Sequence, residues 1–329
     1  MTSRPPDAAP TTTHTPRSGT RRWRSPVAVW AGCGFVALLA QAVIFARWLA
    51  AGDIHSAPKD FAIPAHRAAL VWAEQAAGIL IVVCCVIVAL RQSRREHNVS
   101  WNAALVIGGT FTFWLGFLSC WDRQYAAANR YALNITSWAP YVPGWHGPDP
   151  GQQIETLVAA QILMYTALVV WPWGQQLLLR PVLRRKPHWG MIRLLPVLLI
   201  TGFVTDLVIE GTLITLLGAY SWPTANWSLS LFGGHWYQLP LVNIAIGAVT
   251  MASMPTFMLL RAQRSGRPVH IFQGGERFTR RADAWLRALA GVGFMNVVMA
   301  LYWVLIPLLA TASGPGPLPP DTPGWLWHT

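Results

Sequence analysis

Two acidic residues stand inside one of the most apolar stretches of this chain. Asp206 and Glu210 fall within the run Ile192 to Leu217, and with Gly202 they are spaced four apart. On a helix that spacing places all three on one stripe, with the glycine leaving room beside the acids. A charge at the centre of a bilayer costs roughly 2.5–3.5 kcal/mol on insertion scales, so two acids in one helix need partners or a use. The use would be proton transfer. A carboxyl that keeps its proton beside one that has lost it can give a proton to a leaving group and take one from a nucleophile. The competing use is structural, as hydrogen bonds that hold neighbouring helices together.

Further polar groups are expected at a similar depth. Asp122 caps the third apolar run and is a third catalytic candidate, although beside Arg123 it could serve only as an ion pair. Glu74 and Gln75 lie in the second run, Glu155 begins the fourth, Gln161 follows it, and Asn243 opens the sixth. The candidate substrate-binding residues are Glu74, Asn129, Tyr131, Trp138, Trp145, His235, Tyr237 and Gln238. His235 could shuttle a proton or simply hydrogen-bond within its loop. Asn296 reads as packing glue between helices.

Only membrane-crossing helices would bring such residues to one depth. The chain has 329 residues, 53% hydrophobic and 12% charged, against about 25% charged in a soluble domain. Its apolar runs are Val27 to Leu49, about Ala68 to Leu90, Trp101 to Trp121, Ile154 to Trp173, Ile192 to Leu217, Leu239 to Leu260 and Ala284 to Leu309. Each approaches or exceeds the ~20 residues a helix needs to span hydrocarbon. The expected fold is an all-α, polytopic transmembrane bundle of about seven spans, multi-pass in the cell membrane. Of the 25 Lys and Arg, 20 lie in the amino-terminal tail and the gaps 91–100, 180–193 and 261–287. That asymmetry predicts an amino terminus inside and a carboxyl terminus outside. It also accounts for the net charge of +12 without a nucleic-acid partner. The expected partners are the bilayer and a lipophilic small molecule; the pattern leaves the oligomeric state open.

Residues 1–25 read as a disordered cytoplasmic tail, 26–310 as the transmembrane domain and 311–329 as an irregular extracytoplasmic tail. Two gaps on the outer side are unusual. Residues 122–153 hold Pro140, Pro143, Pro148 and Pro150 among Trp138, Tyr141 and Trp145, and residues 218–238 hold Tyr220, Trp222, Trp227, Trp236 and Tyr237. They form either an interfacial aromatic belt or a lid over an apolar substrate. The four cysteines, Cys33, Cys84, Cys85 and Cys120, sit within apolar runs without metal-ligand spacing. No histidine box, Asp-rich run, phosphate loop or nucleophile elbow occurs. The expectation is therefore chemistry with no metal and no cofactor.

Two blocks of residues carry a resemblance. The first is Asp122, Asn129, Tyr131, Asn134, Ser137-Trp138, Pro140, Pro143-Gly144-Trp145 and Pro148. The second is Asp206, Glu210, Gly218, Tyr220, Leu231-Phe232-Gly233-Gly234-His235, Tyr237-Gln238 and Pro240. Together they resemble the AveC-like spirocyclase family of actinobacterial membrane proteins, over roughly residues 26 to 310. The resemblance implies a place in polyketide tailoring, closing a dihydroxy-ketone into a spiroketal, with dehydration also known in the family. Such closure needs an acid for the departing hydroxyl and a base for the attacking alcohol, with an oxocarbenium-like intermediate between. Read onto this chain, Glu210 would be the acid and Asp206 the base or charge stabiliser. Asp122, Asn129 and Glu74 would orient the substrate. Two other functions use the same buried acids differently. A proton-coupled transporter or lipid-handling protein would relay protons through them, although no internal repeat of the kind common in transporters is found. A non-catalytic membrane scaffold would use them only for packing.

Overall fold

A computed structural model describes residues 24–148 and 153–327. The tail expected to be disordered lies outside the described residues up to position 23, as do Pro150 and the last two residues of the carboxyl-terminal tail. The chain is mostly helical: α1 (Pro26–Ala51), α2 (Ala65–Glu96), α3 (Trp101–Thr110), α4 (Val170–Arg185), α5 (Met191–Gly211), α6 (Leu241–Gly247), α7 (Met254–Ser265) and α8 (Arg280–Ser313). Among the described residues, five helical stretches are long and apolar enough to cross a membrane. They are α1, α2, α5 with its extension to Leu217, α6 through α7, and α8. α3 and the 3-10 helix Phe113–Cys120, bent by 54°, add a sixth if the pair is one span.

Local chemistry explains several boundaries. Ser100 caps α3 by accepting from the Ala103 N–H at 3.2 Å, and Thr279 caps α8 through the Ala282 N–H. Asp283 in the first turn of α8 pairs with Arg287 at 3.0 Å and accepts from Asn98 at 2.7 Å. At the bend after α3, Asn296 of α8 takes over the freed backbone group. Its Nδ2 donates to the Phe111 carbonyl at 3.0 Å, and its Oδ1 accepts from Trp114 Nε1 at 2.8 Å. The residue read as packing glue is thus the clamp that allows the third helix to break.

α8 is the central helix, packed on both α1 and α3. Glycines bring the backbones together on both sides. A Cβ on Gly291 would run into the Ala104 carbonyl of α3, and one on Gly293 into the Trp30 carbonyl of α1. Without a hydrophobic force between helices in lipid, such close van der Waals packing is a main source of association.

The fourth apolar run departs from expectation. Ile154–Thr156 is a strand, the chain then turns, and Met164–Ala167 is a 3-10 turn before α4 begins at Val170. Ala160 sits at φ +58°, a left-handed conformation that no α-helix accommodates. Gln161 folds back so that its Oε1 accepts from both the N–H and the hydroxyl of Thr156. Hydropathy alone does not register these side-chain bonds to the backbone.

Three short antiparallel pairs cap one end of the bundle. β1 (Ala127–Ala128) pairs with β4 (Tyr220–Ser221), β2 (Asn134–Thr136) with β3 (Ile154–Thr156), and β5 (Ser230–Leu231) with β6 (Leu239–Pro240). The two aromatic gaps are therefore folded against each other. After Ser313 the chain returns over this cap: the Arg130 N–H donates to the Trp325 carbonyl at 2.8 Å, and Trp325 and Leu326 are buried.

The glycine contacts make a direct prediction. Gly291→Leu should destabilise the protein by about 2 kcal/mol or more through overpacking, read as a lowered thermal midpoint in detergent. Gly32→Leu is the control, because a Cβ there meets nothing within 4 Å.

Candidate active site

Beneath the cap lies an open-mouthed cavity of about 90 Å³. Its walls come from β3, β4, the turn before α4, α5 and α8. Two carboxyls reach it, Glu155 and Glu210, and both act electrostatically on the Tyr165 hydroxyl in the wall.

Glu155 is carried by β3, opposite Ile135 of β2. Its Oε1 accepts from the Ser137 hydroxyl at 2.8 Å. Gly116 keeps the space beside it open, since a Cβ there would sit 3.2 Å from Oε2. Burial pushes this carboxyl up to about 8, against the opposing hydrogen bond from Ser137. It is thus a proton-bearing acid at neutral pH.

Glu210 comes from the last turn of α5. Tyr220 and Trp222 of the β4 segment face its carboxyl, and its Oε2 has no hydrogen-bond partner among the described residues. What aims this helix end is Asn129, which donates to the Gly218 carbonyl at 2.8 Å while its own N–H bonds the Ala219 carbonyl at 3.0 Å. Gly218, at φ +68°, makes the left-handed turn that ends the helical extension.

Asp206 shares the α5 stripe with Glu210 and is equally buried, yet it does not line the cavity. Its Oδ1 accepts from Trp171 Nε1 at 2.6 Å, and Trp171 is one of the residues that line the cavity. Gly247 of α6 presses on the same carboxyl; any Cβ there would approach to 2.6 Å. Gly202, one turn further, leaves room for a polar knot in which Gln175 donates to the Leu198 carbonyl at 2.6 Å and to Ser253 at 3.1 Å.

The remaining sequence candidates lie elsewhere. Asp122 is half exposed, 3.5 Å from Arg123, and accepts from the Tyr125 hydroxyl at 3.2 Å. Glu74 is buried in α2 without a hydrogen-bond partner for either oxygen among the described residues, but does not face the cavity. Tyr131 carries Lys59 over its ring at 5.2 Å. Trp138 donates to the Trp114 carbonyl at 2.8 Å within a cluster of aromatic rings from α1 and the third helix. Trp145 packs beside the main core. His235 bonds Asp321 of the returning tail at 2.9 Å and stacks on Tyr237, with ring centroids 5.1 Å apart. Gln238 is the exception with a bearing on the site: its Nε2 donates to the Trp222 carbonyl at 2.8 Å, holding that wall residue.

Sequence reasoning passed over Glu155 as a site residue. The signal was present, an acid flanked by Gln153 and Gln161 in an otherwise apolar run, but a helical reading gave it no reason to face the α5 acids.

A family model described as Spirocyclase AveC-like matches residues 93–325. The chain belongs to the AveC-like spirocyclase family. No curated protein and no solved structure matches it. The AveC-like segment includes Glu155, Asp206 and Glu210, together with the whole cap. It begins in the last turn of α2, so α1 and Glu74 lie outside it. The family assignment suggests an enzyme, and the two-carboxyl cavity is its candidate active site.

The Trp171–Asp206 contact is testable apart from any activity. Trp171→Phe should lower stability by about 1–3 kcal/mol, because it strands a buried acceptor. In the Asp206→Asn background the same change should cost less, and a thermal double-mutant cycle would measure the coupling.

Proposed function

We propose that this chain is a membrane-embedded, cofactor-free cyclase. Its substrate would be a lipophilic, polyketide-like dihydroxy-ketone, which it closes into a spiroketal by carboxyl acid–base catalysis. The observation that carries this reading is the pair Glu155 and Glu210 on one aromatic-walled cavity.

In the proposed reaction one hydroxyl has added to the ketone, giving a hemiketal. Glu155, which burial keeps protonated, gives its proton to the hemiketal hydroxyl, which leaves as water. The ring oxygen then shares the positive charge of the oxocarbenium-like carbon. The second hydroxyl attacks that carbon, and Glu210 takes its proton. One water is lost overall, and the proton returns from Glu210 to Glu155 through solvent or wall groups. The indole N–H groups of Trp222, beside Glu210, and of Trp303, beside Tyr165, are placed to share substrate oxygens with those wall groups. Asp206 acts as a positioning residue through Trp171 rather than as the base. A transporter reading would use the same acids, but two carboxyls on one aromatic-walled cavity favour chemistry in place.

We further infer seven crossings with the amino terminus inside, the fourth formed by residues 164–185 instead of Ile154 to Trp173. The basic residues Arg184 and Arg185 at the end of α4 then lie inside, and the cap with Glu155 lies outside the spanning segments. Reporter fusions after residues 186 and 230 should report opposite sides.

With a synthetic ketodiol and purified protein in detergent, Glu155→Gln and Glu210→Gln should each slow cyclisation by about 100-fold or more. His235→Ala, outside the cavity, should retain near wild-type rate and stereochemistry. The wild-type rate should fall as pH rises through about 8, where Glu155 loses its proton, and that limb should vanish in Glu155→Gln. Unchanged cyclisation in both Gln variants would refute the assignment.

A further inference from the structure

We propose that the cavity is a receptor for a monovalent organic cation, so that the species it binds most tightly carries positive charge. The inference deepens the cyclase reading, in which the oxocarbenium-like intermediate is such a species, and it rests on that reading only for its meaning in the reaction.

Three observations point to a cation. The cavity wall contains six aromatic side chains, of which four form an unbroken run. Tyr220 meets Trp222 at 5.8 Å between centroids, Trp222 meets Trp303 at 6.2 Å, and Trp303 meets Tyr302 at 5.0 Å. Next, the acidic lining residues are Glu155, which keeps its proton, and Glu210, and no Lys, Arg or His is among the residues that line the cavity. In a chain with 25 Lys and Arg against 13 Asp and Glu, a site with two carboxyls and no base is a local reversal of the overall charge. Finally, Glu210 is only 5% exposed, and its Oε2 is without a hydrogen-bond partner among the described residues.

The physical consequence follows from each. Aromatic faces carry negative electrostatic potential and attract cations, most strongly where water is excluded. A carboxylate in a low-dielectric enclosure attracts opposite charge far more strongly than it would in water. A neutral ligand can hydrogen-bond the carboxylate but lacks the full charge on which both attractions act. The type of cation is limited by the wall. Met164, Leu168, Leu213, Met251 and Met299 make much of the wall apolar, beside the oxygens of Ser119, Glu155, Glu210, three glutamines and three tyrosines. Among the described residues no group of three His, Cys, Asp or Glu could hold a metal ion. A weakly hydrated organic cation, which gains from aromatic and apolar surface as well as from a carboxylate, suits this mixed wall.

The test is isothermal titration of the full chain in detergent with N,N-dimethylpiperidinium, compared with a gem-dimethyl tetrahydropyran, a neutral ring of the same size. The cation should bind about tenfold tighter or more. Glu210→Gln and Trp303→Leu should each erase most of that preference, while His235→Ala should leave it intact. If Trp303→Leu does not fold, the wild-type ratio and Glu210→Gln decide. Equal binding of the ether and the ammonium would overturn the proposal, as would a preference that survives the Glu155→Gln, Glu210→Gln double variant. Cation binding without ketodiol cyclisation would sink the cyclase and leave this site standing. Cyclisation without a cation preference would do the reverse.

Discussion

Backbone polar groups cannot go unpaired in hydrocarbon, so any departure from the α-helix must be covered by protein or must line a cavity. Among the described residues such departures include the 3-10 segments Phe113–Cys120 and Met164–Ala167 and the π-helical turns Thr212–Leu217 and Ala248–Ser253. Each contributes to the same cavity wall, through Ser119, Tyr165, Leu213 and Met251. The irregular turns and the cavity are therefore one feature. Bending and widening the helices opens the space, and the cap and central helix supply the covering that makes the irregular backbone tolerable.

The covering is made of specific bonds. Asn296 holds the carbonyl freed at the bend of the third helix. Asn129 holds the end of the α5 extension, and through it the turn that brings Tyr220 and Trp222 to Glu210. Gln238 then fixes Trp222 from behind. Two of these residues were candidates for touching substrate. They instead position the residues that line the cavity, which is the common role of a buried amide: it satisfies backbone that would otherwise be orphaned.

The acids divide along the same logic. Glu155 and Glu210 come from a strand and a helix end, both next to irregular backbone, and both reach the cavity. Asp206 lies one regular turn deeper, closed off by Gly247 and tied to Trp171. A regular helix presents its acid to its neighbour; a helix end beside a turn can present it to open space. Hence two carboxyls on one stripe take different parts, one in the cavity and one in the wall behind it.

Much of this was legible in the sequence, and the remainder for a definite reason. Composition and run length determined a helical membrane protein, because transfer of apolar surface is additive along the chain and needs no partner. The cost of burying charge singled out Asp206 and Glu210, and aromatic content marked the two gaps that became the cap. What the sequence could not determine is which polar groups share a space. The strand at Ile154–Thr156 depends on pairing with residues near 135 and on Gln161 turning back onto Thr156. These are contacts between sites distant in sequence or outside any helical period. Only the folded chain could bring Glu155 and Glu210 to one cavity, because sharing a cavity is a property of the backbones around it and not of either residue's own segment.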